Sequence, residues 1–269
     1  MTKDLFNKTI NLEGKKLYLF DMDGTIYLGN RLFEGVDEFL KKIEKDGVKF
    51  VFITNNSSRS VVDYVKKLHN LGLTYVTQEN FFTSTQASKM LFREKFGDSL
   101  IYAQGTKSFI QELIDSGINI TQEFDENAVA VLVGFDPELT GDKLWNTCKM
   151  LTNKDIPYYA TNPDWVCPVE FGYIPDCGSM CFGIEKATGK MPIFIGKPQP
   201  QMIYSAMEKF GATKEQTIVF GDRIYTDIRS GYNAGVDTVL VLSGEATMED
   251  YNESDIKPTY VINHIKEIK

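Results

Sequence analysis

The sequence predicts an α/β protein built on a parallel sheet and interrupted by a second α/β set. Three observations carry that prediction. Short apolar runs alternate with stretches of helical period between residues 17 and 72, the same alternation returns between residues 192 and 242, and a separate strand-and-helix set fills the interval from about 83 to 188.

Leu17-Tyr18-Leu19-Phe20 is a continuous apolar run, as a strand buried on both faces should be. Val36, Phe39, Leu40 and Ile43 then mark one face of a helix that Asp46-Gly47 ends. Residues 49–53 form a second buried strand, which opens into Thr54-Asn55-Asn56-Ser57-Ser58, and Val61, Val62, Val65 and Leu68 mark a second helix, stopped at Gly72. In the interval, strands are expected at 100–103, 129–133 and 157–161, with helices at 107–116 and 142–152. The last third gives strands at 192–195, 217–220 and 238–242, with helices at 201–210 and around 227–233; these strands are expected to join the first two. No internal repeat or low-complexity linker stands out.

Composition bounds the partners. With 42% hydrophobic and 25% charged residues, the 269-residue chain is ordinary for a folded protein and long enough for two domains. A net charge of −8 disfavours a broad surface for nucleic acid or anionic membrane, so an anionic ligand requires a local cationic pocket. No apolar run reaches bilayer length, and residues 1–10, with Lys3, Asp4 and Lys8 interleaved, lack a signal-peptide core; the expected location is the cytoplasm. Cys148, Cys167, Cys177 and Cys181 include no Cys-x-x-Cys pair, and His69 and His264 are the only imidazoles, which argues against zinc. Buried small hydrophobes are the expected role of the cysteines.

Asp21-Met22-Asp23-Gly24-Thr25 ends the first strand and says most about chemistry. Two carboxylates so placed repel each other unless a cation or proton lies between them, and Mg²⁺, which takes one or two carboxylates and leaves positions open to phosphate oxygens, suits them. An EF-hand loop fails on spacing, because its Gly and Glu positions hold Ile26 and Leu32. Taken alone, the motif reads equally well as a solvated turn. Three further polar clusters follow strands: Thr54-Asn55-Asn56, Gly196-Lys197-Pro198 and Gly221-Asp222-Arg223 with Asp227. Each alone has an ordinary reading as a loop, cap or turn. In open parallel sheets ligands lie beyond the carboxyl ends of the strands, so the four clusters are expected to converge.

In this order and spacing, the clusters resemble the four motifs of the haloacid dehalogenase superfamily, within it the NagD-like and para-nitrophenylphosphatase branch. The resemblance spans nearly the whole chain. It implies a Rossmann-like core from residues 1–83 and 189–269 and an inserted α/β cap from 84–188. It further implies a Mg²⁺-dependent phosphatase acting on small phosphorylated metabolites, such as sugar phosphates, nucleoside monophosphates or para-nitrophenyl phosphate, through a phosphoaspartate. Asp21 is then the nucleophile and Asp23 the acid and base, with Asp23 also holding the metal through its backbone carbonyl. Thr54, Asn55, Asn56 and Lys197 would bind the phosphoryl group, Asp21, Asp23 and Asp222 the metal, and Asp227 would hydrogen-bond behind the ligands.

In the inserted segment, Gly134-Phe135-Asp136, Thr161-Asn162-Pro163-Asp164 and Pro175-Asp176-Cys177-Gly178 look like the family's substrate-facing loops. That makes Asp136, Asn162, Asp164 and Asp176 candidate substrate contacts, with turn and cap roles as the competing reading. The resemblance leaves a homodimer open, and residues 1–14 form a longer leader than the family usually carries. Two rival functions stand beside the phosphatase: a phosphomutase with the same nucleophile, and a binding module that senses a phosphorylated metabolite. A dehalogenase fits the acid at Asp23 less well.

Overall fold

The computed structural model describes residues 2–169 and 171–268. The chain divides into two compact units, one comprising residues up to 54, 65–82 and from 197 onward, the other residues 55–64 and 83–196.

The first unit is built on a six-stranded sheet in the order Tyr260–Ile262, Asp237–Val241, Thr217–Gly221, Leu17–Phe20, Lys49–Thr54, Phe81–Thr83. Leu17–Phe20 pairs in parallel with Thr217–Gly221 on one side and Lys49–Thr54 on the other, and all four of its side chains are buried. That placement explains its lack of alternation. Register sets Phe20 opposite Phe220, and their rings stack with centroids 4.8 Å apart. Phe39, on the buried face of helix Val36–Lys45, meets Phe20 edge-on at 6.1 Å. Aromatic pairs of this kind add about 0.5–1.5 kcal/mol beyond the area they bury, so the helix is clamped directly under the strand that carries Asp21.

Strand order reverses between Leu17–Phe20 and Thr217–Gly221, which creates the crevice where parallel sheets place ligands. Asp21 and Asp222 are the first residues beyond those two strands. The leader, to which the sequence assigns no period, runs along the outer strand: the Leu5 amide donates to the Val261 carbonyl at 2.9 Å. It thereby covers a sheet edge that would otherwise present unpaired backbone groups.

The second unit holds a five-stranded parallel sheet in the order Ile193–Phe194, Tyr158–Ala160, Ala130–Val133, Ile101–Gln104, Ile120–Thr121. Its own reversal point, between Ala130–Val133 and Ile101–Gln104, is occupied by the chain itself. Ser57 Oγ accepts the Phe135 amide at 2.9 Å and lies 2.9 Å from Thr161 Oγ1, and Thr106 Oγ1 donates to the Ser58 carbonyl at 2.8 Å. Cys177 and Cys181 are fully buried in this unit's core beside Val133, Phe135 and Met150, as the sequence leads one to expect. Burial pushes the Cys177 thiol well above its ordinary value, which leaves it inert.

The α/β class with parallel sheets holds, but one strand changes partner. Ile193–Phe194, expected in the first sheet, pairs with Tyr159 and Ala160 at the edge of the second. A two-residue edge strand with Ile193 largely exposed carries no periodic signal that says which sheet it joins. Helix Ser84–Phe96 also lies outside the sequence expectation, although its start is written in a capping box between Thr83 and Gln86. No helix of the described residues is long and apolar enough to cross a membrane.

Candidate active site

Asp21 leaves its strand with its amide still donating to the Phe220 carbonyl, at 2.8 Å, so its backbone is held between the two central strands. The following loop is tight, with the Ile26 amide on the Met22 carbonyl and the Gly24 amide on the Tyr27 carbonyl, both at 2.8 Å. Gly24 has φ +88°, and a Cβ there would stand 2.3 Å from Asp222 Oδ2. Gly244 packs on the same carboxylate, where a Cβ would fall 2.0 Å from Oδ2. Only hydrogen fits at either position, and Asp222 is consequently wedged between two backbones.

On the opposite strand, Asp222 Oδ2 accepts the Glu245 amide at 2.7 Å, while Oδ1 is buried without a hydrogen-bond partner. The chain then makes one π-helical turn, Ile224–Ile228, before helix Arg229–Ala234. Such turns recur at functional sites because the extra residue re-aims a side chain. Here Asp227 Oδ2 accepts the Arg223 amide at 3.0 Å and Oδ1 accepts Lys197 at 2.5 Å.

Lys197 is 2% exposed and donates to Asp21 Oδ1 at 2.6 Å, to Asp227 Oδ1 and to the Ile53 carbonyl at 3.2 Å. Burial alone would lower its ammonium, but Asp21 and Asp227 outweigh that and raise it. Asp21, Asp222 and Asp227 each bring one oxygen within 4.8 Å of the others. Burial, with Asp227 and Asp222 nearby, raises the Asp21 carboxyl well above its ordinary value despite Lys197. Burial followed by repulsion from Asp227 pushes Asp222 up to about 7. Lys197 pairs with Asp21 and Asp227, Arg223 acts on Asp222 while pairing with Glu245 at 2.8 Å, and carboxylates in this grouping outnumber cations. The surplus negative charge, the all-oxygen donor set and the orphaned Asp222 Oδ1 fit a hard divalent cation.

Asp23 faces elsewhere. Its side chain is 32% exposed, Oδ2 accepts the Tyr27 hydroxyl at 3.1 Å and Oδ1 lies 3.8 Å from Lys67 Nζ. Thr54 is buried at the carboxyl end of its strand, one residue beyond the Ile53 carbonyl that Lys197 holds. The two asparagines that follow belong to the second unit, where their side chains are engaged. Asn55 Nδ2 donates to the Asp164 carboxylate at 3.1 and 3.2 Å, and Asn56 Oδ1 accepts the Ser58 amide and hydroxyl at 3.0 and 2.7 Å.

Two of the candidate loops in the inserted segment meet, the Asp176 amide donating to the Trp165 carbonyl at 3.0 Å and the Gly178 amide to the Asp164 carbonyl at 2.9 Å. Asn162 and Asp164 are drawn together with Asn55, since Asn162 Nδ2 donates to the Asn55 carbonyl at 2.8 Å and Asn162 Oδ1 accepts the Asp164 amide at 3.0 Å. Asp136 is fully buried and paired with Lys143 at 2.8 Å; burial raises its carboxyl even so. Asp176 caps helix Cys177–Thr188 through the Cys177 amide at 2.5 Å.

The model of haloacid dehalogenase-like hydrolases matches residues 18–119, and a HAD-hydrolase-like model matches residues 194–268. The 5′-nucleotidase YutF of Bacillus subtilis is 34% identical over 252 residues, covering 94% of this chain and 96% of the relative. The chain belongs to the haloacid dehalogenase-like hydrolases. Among solved structures of the family, a 4-nitrophenylphosphatase from Thermotoga maritima superposes with a TM-score of 0.89 at 38% identity, covering 95% of this chain and 97% of that one. A glycerol phosphate phosphatase from Mycobacterium tuberculosis in complex with magnesium gives 0.88 at 26% identity, covering 99% of this chain and 78% of that one. Within the haloacid dehalogenase-like hydrolases the chain falls in the NagD-like branch of phosphatases. Sequence reasoning passed over Tyr27 and Lys67, which hold the Asp23 carboxylate. Tyr27 sits two residues past the first motif with nothing but its aromatic ring to distinguish it, and Lys67 is one of several helix lysines.

Proposed function

We propose that this phosphatase hydrolyses small soluble phosphomonoesters in a Mg²⁺-dependent reaction through a phosphoaspartate on Asp21. The observation that carries the reading is the buried grouping of Asp21, Lys197, Asp222 and Asp227 at the sheet's reversal point. Asp21, Asp222 and the Asp23 carbonyl would hold Mg²⁺, which would offset the charge of the acid cluster and of a phosphoryl group bound there. Both Asp227 oxygens already accept hydrogen bonds, which supports a role in holding Lys197 and the turn rather than the cation.

Asp21 uses the oxygen that Lys197 does not hold to attack phosphorus. The bond from phosphorus to the leaving oxygen breaks, and the proton of the Asp23 carboxyl passes to that oxygen. In the second step Asp23 takes a proton from water, water oxygen bonds to phosphorus, and the aspartyl oxygen leaves. Lys197 and Thr54 stabilise the charge on the transferring group, the main demand of phosphoryl transfer.

Phosphate release from 4-nitrophenyl phosphate and from a panel of alkyl phosphates, after EDTA treatment and again with Mg²⁺ restored, tests the reading. Release is expected only with the metal, and a chain that binds these esters without turnover under both conditions would be a sensor instead. Asp23→Asn should reduce kcat/KM for alkyl esters by about 10²-fold or more and for nitrophenyl phosphate far less, because nitrophenolate leaves without a proton. Equal losses would remove Asp23 from the acid role.

The raised carboxyls also make metal and proton competitors. Asp222, held up to about 7, keeps a proton that the unfolded chain has already released. Its contribution to stability is therefore full below the ordinary carboxylate range and is lost as pH rises through about 7. In EDTA the Tm should fall across that window, and the Tm gain from Mg²⁺ should grow from about pH 5 to about pH 8. A gain independent of pH would show that the cation binds elsewhere.

A further inference from the structure

The Asp23 carboxylate is the most exposed part of the motif, yet an acid must present one oxygen to a leaving group in a fixed direction. Among the described residues its polar partners are Tyr27 and Lys67. Tyr27 is fully buried apart from its role at the loop, with its hydroxyl on Oδ2 at 3.1 Å. Lys67 arrives from the last turn of helix Val61–Asn70, with Nζ 3.6 Å from the centre of the Tyr27 ring and 3.8 Å from Asp23 Oδ1. A cation over the face of a phenol polarises it and strengthens its hydroxyl as a donor. The three groups thus form a closed triangle, with each carboxylate oxygen facing a different neighbour.

We infer that Lys67 and Tyr27 are positioning residues for Asp23, which fix the plane of its carboxylate so that the proton is delivered to the leaving oxygen. The inference rests on the acid role of Asp23 proposed above. Both converge on the Asp23 carboxylate, and each acts through it. Their loss should therefore be felt where the leaving oxygen needs a proton and hardly at all where it does not. A purely structural role, with the lysine stem merely covering the tyrosine ring, would lower all substrates alike.

The experiment compares kcat/KM for glycerol phosphate and for 4-nitrophenyl phosphate, because that parameter reports only the steps through leaving-group departure. Tyr27→Phe and Lys67→Met should each lose about tenfold on glycerol phosphate and less than about twofold on nitrophenyl phosphate. Lys67→Arg, which keeps a cation over the ring, should retain most of the glycerol phosphate activity. Placed in the Asp23→Asn background, Tyr27→Phe and Lys67→Met should cost nothing further, as expected of residues that act as one unit. The nitrophenyl rate serves as the folding control, and if one variant does not fold the other carries the test. Equal losses on both esters, no loss on either, or a loss that persists beside Asp23→Asn would overturn the inference. A wild-type enzyme whose Asp23→Asn variant shows no dependence on the leaving group would instead overturn the acid assignment itself.

Discussion

Asp21→Asn is expected to lower phosphatase turnover by at least about 10⁴-fold, the scale on which removing a nucleophile acts when the rest of the machinery remains. The amide keeps the volume of the side chain but cannot form the phosphoaspartate. The same substitution should leave the fold intact, and at alkaline pH in EDTA it should raise the Tm. The reason lies in the site's electrostatics, since Asp21 carries its charge only against burial and two neighbouring carboxylates. Lys197 keeps Asp227 as its partner at 2.5 Å, so no buried ammonium is stranded. Turnover of nitrophenyl phosphate and a thermal melt on the same preparation check both halves. Residual turnover near the wild-type rate would remove Asp21 from the chemistry.

Lys197→Met should do the reverse, damaging both activity and stability. Its ammonium is the one cation bonded to Asp21 and Asp227 among the described residues, and it is almost wholly enclosed. Breaking a buried ion pair by removing one partner typically costs about 3–5 kcal/mol, because the surviving charge is left uncompensated. On the catalytic side, losing one preorganised electrostatic group costs about 3–4 kcal/mol in the barrier, or about 10²–10³ in kcat. Mg²⁺ should recover part of the stability and little of the rate, since it can answer the surplus carboxylate charge but stands in the wrong place for the lysine. Melting curves and kcat with and without the metal read the two effects separately. A variant as stable as the wild type in EDTA would mean that the acid cluster is not charged in the folded protein.

Much of this architecture was legible because its signals are local. A strand such as Leu17–Phe20, buried on both faces, must be apolar throughout, and the polar residues that follow it stand at the mouth of the sheet whatever lies far away in the chain. Asp21 and Asp222 are placed by that rule, whereas Lys197 follows a strand of the other sheet and Asp227 comes from the π-helical turn, so their arrival beside Asp21 is a matter of tertiary pairing. Where partners are chosen by tertiary pairing, the pattern falls silent. Nothing in Ile193–Phe194 says which sheet edge it joins, and nothing in Asn55 says that its amide is bound to Asp164, 109 residues on. The triangle of Tyr27, Lys67 and Asp23 is invisible for the same reason, because a tyrosine and a lysine 40 positions apart become neighbours only when a helix returns to the first loop.

The two glycines pressed against Asp222 give the acid cluster an unusual kind of vulnerability. Its shape depends on empty volume as much as on charge, with backbone at 24 and 244 approaching a carboxylate more closely than any side chain would permit. The smallest change available to a protein, one methyl group, would displace that carboxylate while leaving every ionisable residue in the chain untouched. Inventories of acids and bases alone would therefore overstate how many related sequences retain a working centre, and the spacing of these two hydrogens is the better criterion.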